Sequence, residues 1–170
     1  SPLTLSQGLK VLDDLDQFCD EKNVRGSVCF SGGNPFLSPI FLELYQAAAD
    51  RGFSTSILGN AVEPDQLQKI VDIQYPGYFQ VSLEGLEEHN DYIRGQGYYQ
   101  KVIKFLELLR ELDISSSIML TLTKDNIDQV LDLGEILKDK TDYFTFNRLS
   151  PVGEGEDLVS VEPQQYREFL

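Results

Sequence analysis

Two short polar runs in this sequence have residue types and spacing suited to chemistry. Ser31-Gly32-Gly33-Asn34-Pro35 follows the apolar stretch Val28-Cys29-Phe30. Paired glycines let a backbone approach a ligand closely and leave N–H groups pointing outward. Asn34 adds an amide that both donates and accepts, and Pro35 stiffens the exit. A tight turn that needs only glycine is the plainer reading of the pair. Neither a G-x-G-x-x-G pattern nor a Gly-Lys-Ser/Thr follows, so this is not one of the common nucleotide-binding fingerprints.

The second run is Ser82-Leu83-Glu84, with Arg94 ten residues on. Strand alternation projects Ser82 and Glu84 to the same side, where a hydroxyl beside a carboxylate suits sugar hydroxyls. Arg94 can clamp a ligand carboxylate through two parallel N–H bonds. Alternatively it pairs locally with Glu87, Glu88 or Asp91 on a solvated helix end. The single histidine, His89, lies in an acidic stretch and reads as a surface or helix-end group. Cys19 and Cys29, without a second His or Cys beside them, make no metal site, and both read as small core residues. The visible chemistry is polar ligand binding, with no general base, nucleophile or metal ligand assigned.

Composition narrows the setting. Fourteen Lys and Arg against 28 Asp and Glu give a net charge of −14 over 170 residues. That charge argues against a nucleic-acid partner, which needs a basic face. No run of about 18 apolar residues exists to span a membrane, and Ser1-Pro2-Leu3-Thr4 is not a secretory signal. Two cysteines make no disulfide framework and point to a reducing, cytoplasmic location. A start at Ser1 and a helix opening at Pro163 with no stop signal after it together suggest a single domain, residues 1–170, cut from something longer.

Helical and strand patterns alternate along the chain. Leu5, Leu9, Leu12, Leu15 and Phe18 form an amphipathic stripe over 4–22. Further helices are expected over 38–50, from Pro64 to Ile73, over 99–112 and from Asn126 to Lys138. The last carries Ile127, Val130, Leu131, Leu133, Ile136 and Leu137 as an inward stripe. Glu87 to Gly97 reads as a short polar segment. Strands are expected at 27–30 (short and buried), 53–58, 78–83, 114–123 and 143–146. This alternation indicates an α/β fold of repeated parallel β-α units. Right-handed crossovers put every strand-to-helix loop at one edge, where such folds keep their sites. Periodicity alone leaves open whether the sheet is flat or curled into a barrel.

Four segments in order resemble the radical S-adenosylmethionine enzymes, and within them the peptide- and protein-maturing branch with extra iron–sulfur domains. Val28-Cys29-Phe30-Ser31-Gly32-Gly33-Asn34-Pro35-Phe36-Leu37 is similar to that family's GGEP segment. Leu58-Gly59-Asn60 stands where Thr-Asn-Gly usually ends the next strand. Val81-Ser82-Leu83-Glu84-Gly85, with His89-Asn90 and Ile93-Arg94-Gly95, resembles the segment VSLDG…HD…RG. Phe146 to Gly155 resembles a late-strand exit rich in Pro and Gly. The resemblance implies a partial, TIM-like barrel with about five of six β-α units present. It implies S-adenosylmethionine as cofactor, with Gly32, Gly33 and Asn34 facing its amino group and Ser31 flanking them. Ser82 would address the ribose or carboxylate side, Arg94 the carboxylate, Asn60 and Glu84 the ribose, and Leu149 the adenine edge.

Two departures bear on function. The family's Glu is Asn34 here, and an amide oxygen accepts more weakly than a carboxylate. The Cys-x3-Cys-x2-Cys motif, whose thiolates hold a 4Fe-4S cluster, does not occur in these residues. The expectation is therefore an enzyme core whose parent protein modifies a peptide or protein, the cluster belonging to the parent and this stretch being inactive alone. The first strand would then be an exposed edge able to promote dimerisation. Two rival readings remain open: a molybdopterin-precursor or other small-molecule radical enzyme, and a degenerate cofactor-binding or regulatory module. A plain β-α domain whose glycine pair is only a turn is the third.

Overall fold

The computed structural model describes residues 3–150 and 158–169. Five strands, β1 (Ser27–Phe30), β2 (Ser54–Leu58), β3 (Phe79–Ser82), β4 (Ser116–Leu122) and β5 (Tyr143–Arg148), form one parallel, open sheet in sequential order. Seven α-helices are described: α1 (Leu5–Lys22), α2 (Phe41–Asp50), α3 (Pro64–Ile73), α4 (Glu87–Arg94), α5 (Tyr98–Glu111), α6 (Val130–Leu137) and α7 (Pro163–Phe169). The α/β class with parallel strands is as expected. Two compact units divide the chain, Ser1–Phe79 with Asp113–Ser115 and Gln80–Leu112 with Ser116–Leu170.

In the first unit, α1 begins at a capping box. The Thr4 hydroxyl accepts from Gln7 N at 3.3 Å, and Gln7 Oε1 accepts from Thr4 N at 2.9 Å. The inner stripe of α1, Leu12 and Cys19, packs with Leu44, Ala48 and Phe53, and Val28 and Phe30 lean on this cluster. Strands β1 and β2 pair with Cys29 opposite Ser56 and Phe30 opposite Ile57. Cys29 is exposed, not a core residue, and β1 is only half-buried on one face. Alternation explains this: Phe30 packs on Phe41 and Tyr45, which turns Cys29 to the opposite face of a strand at the end of the sheet order. The helix expected from Ser38 starts at Phe41 instead, after a short 3-10 turn at Pro35–Leu37. Ser38 precedes Pro39, which disfavours helical backbone, and it is extended at φ −84°, ψ 124°.

In the second unit, Val81 of β3 and Ile118, Leu120 and Leu122 of β4 are buried, and α5, which contacts β4, buries Val102, Phe105, Leu106 and Leu109. The polar segment from Glu87 begins as a helix. It is α4, with Glu87 and Glu88 in its first turn and Arg94 in its last, charges that complement a helix dipole. Its buried side chains are Asn90 and Asp91, so apolar periodicity was never going to reveal it. The stripe on α6 is narrower than expected: Val130, Leu133 and Leu137 are buried, whereas Leu131 is 77% and Ile136 42% exposed. Strand β5 registers with β4, Met119 beside Thr145 and Thr121 beside Asn147. Helix α7 returns to β5, Phe169 meeting Phe146 edge-on at 5.3 Å and Tyr166 lying 4.9 Å under the Arg148 guanidinium.

Candidate functional site

In the first unit the glycine pair sits directly after β1. Gly32 and Gly33 have φ of +102° and +91°, a region that L side chains rarely adopt, and open space lies where a Cβ would project. Their role is conformational and leaves the backbone accessible. Asn34 closes the turn, its Oδ1 accepting from Phe36 N at 3.3 Å to cap the 3-10 turn. The end of β2 lies alongside, since a Cβ on Gly59 would be 3.3 Å from Asn34 Oδ1. Ser31 is exposed and Asn60 half-buried. The two strand ends thus bring Ser31–Asn34 and Gly59-Asn60 into one neighbourhood.

The second unit holds the other group. Ser82 ends β3 half-buried, and Glu84, two residues on, is 8% exposed. Glu84 Oε1 accepts from Arg94 Nε at 3.0 Å and Nη2 at 2.5 Å, while Oε2 accepts from Thr121 N at 3.2 Å. Arg94 therefore pairs with Glu84, and not with Glu87, Glu88 or Asp91. Its guanidinium carbon stands 5.6 Å from the centre of the Tyr98 ring. Burial raises the Tyr98 hydroxyl above its ordinary pKa, against the opposing pull of Arg94.

The turn carrying Glu84 is bonded on every side. Glu84 N donates to Asn90 Oδ1 at 3.0 Å, and Glu84 O accepts from Asn126 Nδ2 at 2.9 Å. Asn126, fully buried, also donates to Thr121 O at 2.9 Å and accepts from Thr123 N at 2.8 Å. Gln129 Oε1 accepts from Leu86 N at 2.9 Å, and Gly85 beside it has φ of +149°, a backbone conformation that L side chains rarely adopt. Asp91 organises the far end of α4, its carboxylate accepting from Tyr99 N at 2.8 Å and Gly97 N at 2.5 Å. The Tyr99 bond is the main cause of an Asp91 pKa below the usual carboxylate range.

Sequence reasoning missed Asn90, Asp91, Asn126 and Gln129 as parts of the site's frame. A lone Asn, Asp or Gln near a helix end looks like any cap in sequence, and only the fold shows that Asn90, Asn126 and Gln129 converge on one turn while Asp91 ties α4 to α5. Leu149 follows β5 and is half-buried. The Pro/Gly-rich exit after Ser150 lies outside the described residues, so its resemblance has no structural counterpart here. Cys19 is buried and Cys29 exposed, and among the described residues no group of three or more His, Cys, Asp or Glu could hold a metal.

Radical SAM superfamily sequences match this chain over residues 9–137. The chain belongs to the radical SAM superfamily. Among curated relatives, Fe-coproporphyrin III synthase of Methanosarcina barkeri is 27% identical over 93% of this chain and 39% of its own length. Mycofactocin maturase MftC of Mycolicibacterium smegmatis is 29% identical over 77% of this chain and 34% of its own. The radical SAM chain thus spans well under half the length of either relative. Streptococcus suis SuiB bound to S-adenosylmethionine has the same fold, with a TM-score of 0.73 over 95% of this chain and 38% of SuiB at 19% identity. SuiB bound to its precursor peptide SuiA aligns at a TM-score of 0.67, over 89% of this chain and 35% of SuiB at 19% identity. No described helix is long and apolar enough to cross a membrane.

Proposed function

We propose that this chain is the cofactor-binding core of a radical SAM enzyme that reductively cleaves S-adenosylmethionine to modify a peptide or protein. The observation that carries the reading is Arg94, a guanidinium held at the exit of β3 by Glu84 with N–H groups left over for a carboxylate. The residues present fit the amino-acid end of the cofactor. Gly32 and Gly33 leave their backbone open with no side chain in the way, so its carbonyl oxygens, with the amide oxygen of Asn34, can accept from an ammonium. In this reading Ser31 and Asn60 flank them, Ser82 addresses the ribose or carboxylate side and Leu149 the adenine edge, while Glu84, expected on the ribose, has both oxygens engaged by Arg94 and Thr121 N and acts through Arg94 instead.

A 4Fe-4S cluster supplies the electron for cleavage in such enzymes, and the two cysteines here do not form its ligand set. What these residues do is bind and orient: Arg94 neutralises a carboxylate, carbonyl oxygens of the glycine turn accept from an ammonium, and Ser82 donates to a hydroxyl. On β4 and β5, Met119, Thr121, Thr145 and Asn147 are half-exposed or exposed on the face opposite Leu120 and Leu122, a polar surface against which a substrate can lie. MftC, a maturase by name, and the peptide-bound SuiB support a peptide substrate. Both cysteines are free thiols, in keeping with a reducing, cytoplasmic setting.

A second reading, a tetrapyrrole-sized small molecule, is favoured by the longer reach of the match to Fe-coproporphyrin III synthase. The full-length protein, reconstituted anaerobically with iron and sulfide, separates the two. It is incubated with S-adenosylmethionine, dithionite and either a cytosolic peptide pool or a pool of iron porphyrins and their tetrapyrrole precursors, and products are read by mass spectrometry. A mass change in a peptide is expected, whereas consumption of a tetrapyrrole alone would move the assignment to the second reading.

A further inference from the structure

We propose that Glu84 is a positioning residue that sets the Arg94 guanidinium for the carboxylate of S-adenosylmethionine, and so tunes recognition of that one group. The inference rests on the reading that Arg94 holds the carboxylate, and deepens it. Glu84 is 8% exposed and spends both oxygens in fixed directions, Oε1 on Arg94 and Oε2 on Thr121 N of the neighbouring strand. Its backbone is pinned as well, N to Asn90 and O to Asn126. An arginine has several rotatable bonds, and a guanidinium free to sample them loses entropy when it meets a ligand. Here one edge of the fork is committed to a carboxylate that cannot move, and the Tyr98 ring limits the guanidinium from another side. The remaining N–H groups are thereby aimed before any ligand arrives.

A glutamine at this position cannot reproduce the arrangement. Its single amide oxygen serves either Arg94 or Thr121 N, and its NH2 group then opposes the other donor. A merely structural role would weaken all ligands alike. A role in aiming Arg94 affects only ligands that carry the carboxylate.

The test measures equilibrium binding of S-adenosylmethionine and of decarboxylated S-adenosylmethionine to the full-length, anaerobically reconstituted protein and its E84Q, E84D and R94A variants. Thermal melts accompany each variant. We expect E84Q to weaken S-adenosylmethionine about tenfold while changing the decarboxylated compound less than twofold, and E84D to shift the same ratio in the same direction, by less. R94A should all but abolish the preference for the carboxylate. Equal weakening of both ligands by E84Q and E84D, or unchanged or tighter binding of S-adenosylmethionine, overturns the positioning role while leaving Arg94 in place. A ratio unmoved by R94A overturns the Arg94 reading and the inference with it. Should E84Q not fold, the E84D ratio decides alone.

Discussion

Arg94 and Asn126 are two different kinds of polar residue: the Arg94 side chain is 28% exposed, whereas Asn126 is fully buried. If Arg94 holds the cofactor carboxylate as proposed, R94A should leave the fold intact and weaken S-adenosylmethionine binding by roughly 2 kcal/mol, about 30-fold, in an equilibrium binding assay. An unchanged dissociation constant would leave Arg94 as only the partner of Glu84. Asn126 meets backbone alone, and N126A strips partners from Glu84 O, Thr121 O and Thr123 N at once. Denaturant unfolding should show a loss of roughly 2–4 kcal/mol, since each orphaned buried group costs about 1–3 kcal/mol. The sequence showed Arg94 because its residue type and its motif coincide. It hid Asn126, because what matters there is convergence of strand ends that are far apart in the chain.

At the scale of elements, the boundaries of α1, β1 and α3 followed from capping and apolar spacing, which are local. Helix α4 did not, because it buries amides and a carboxylate instead of leucines. Asp91 is what makes that helix worth its polar interior, since it ties α4 to the first turn of α5 through Tyr99 N and Gly97 N. A carboxylate whose folded pKa lies below its unfolded value of about 3.9 stabilises the fold at neutral pH, and that contribution disappears as pH falls through the lowered value. D91N should therefore be less stable than the parent at pH 7, and the difference should shrink in acid unfolding curves below about pH 4. A difference independent of pH would mean that the Asp91 charge contributes nothing beyond its shape. The mirror case is tyrosine: burial raises Tyr45, Tyr98 and Tyr99, so stability should fall as pH rises past about 10.

For the whole molecule, alternation of helix and strand patterns was enough to give a parallel α/β sheet, because each unit's hydrophobic period is set by its own residues. The exposed Cys29 was misread because position in the sheet, which decides whether a strand has one covered face or two, is not a local property. The net charge of −14 is compatible with a basic peptide partner. The central proposal is that this chain is the core of an enzyme that binds S-adenosylmethionine for reductive cleavage. The most direct test reconstitutes the full-length protein anaerobically with iron and sulfide and measures 5′-deoxyadenosine released from S-adenosylmethionine with and without dithionite. Release that depends on the reductant, and falls in R94A, is the predicted result. S-adenosylmethionine bound to the reconstituted protein with no 5′-deoxyadenosine formed would contradict it, and would leave a binding module in place of an enzyme.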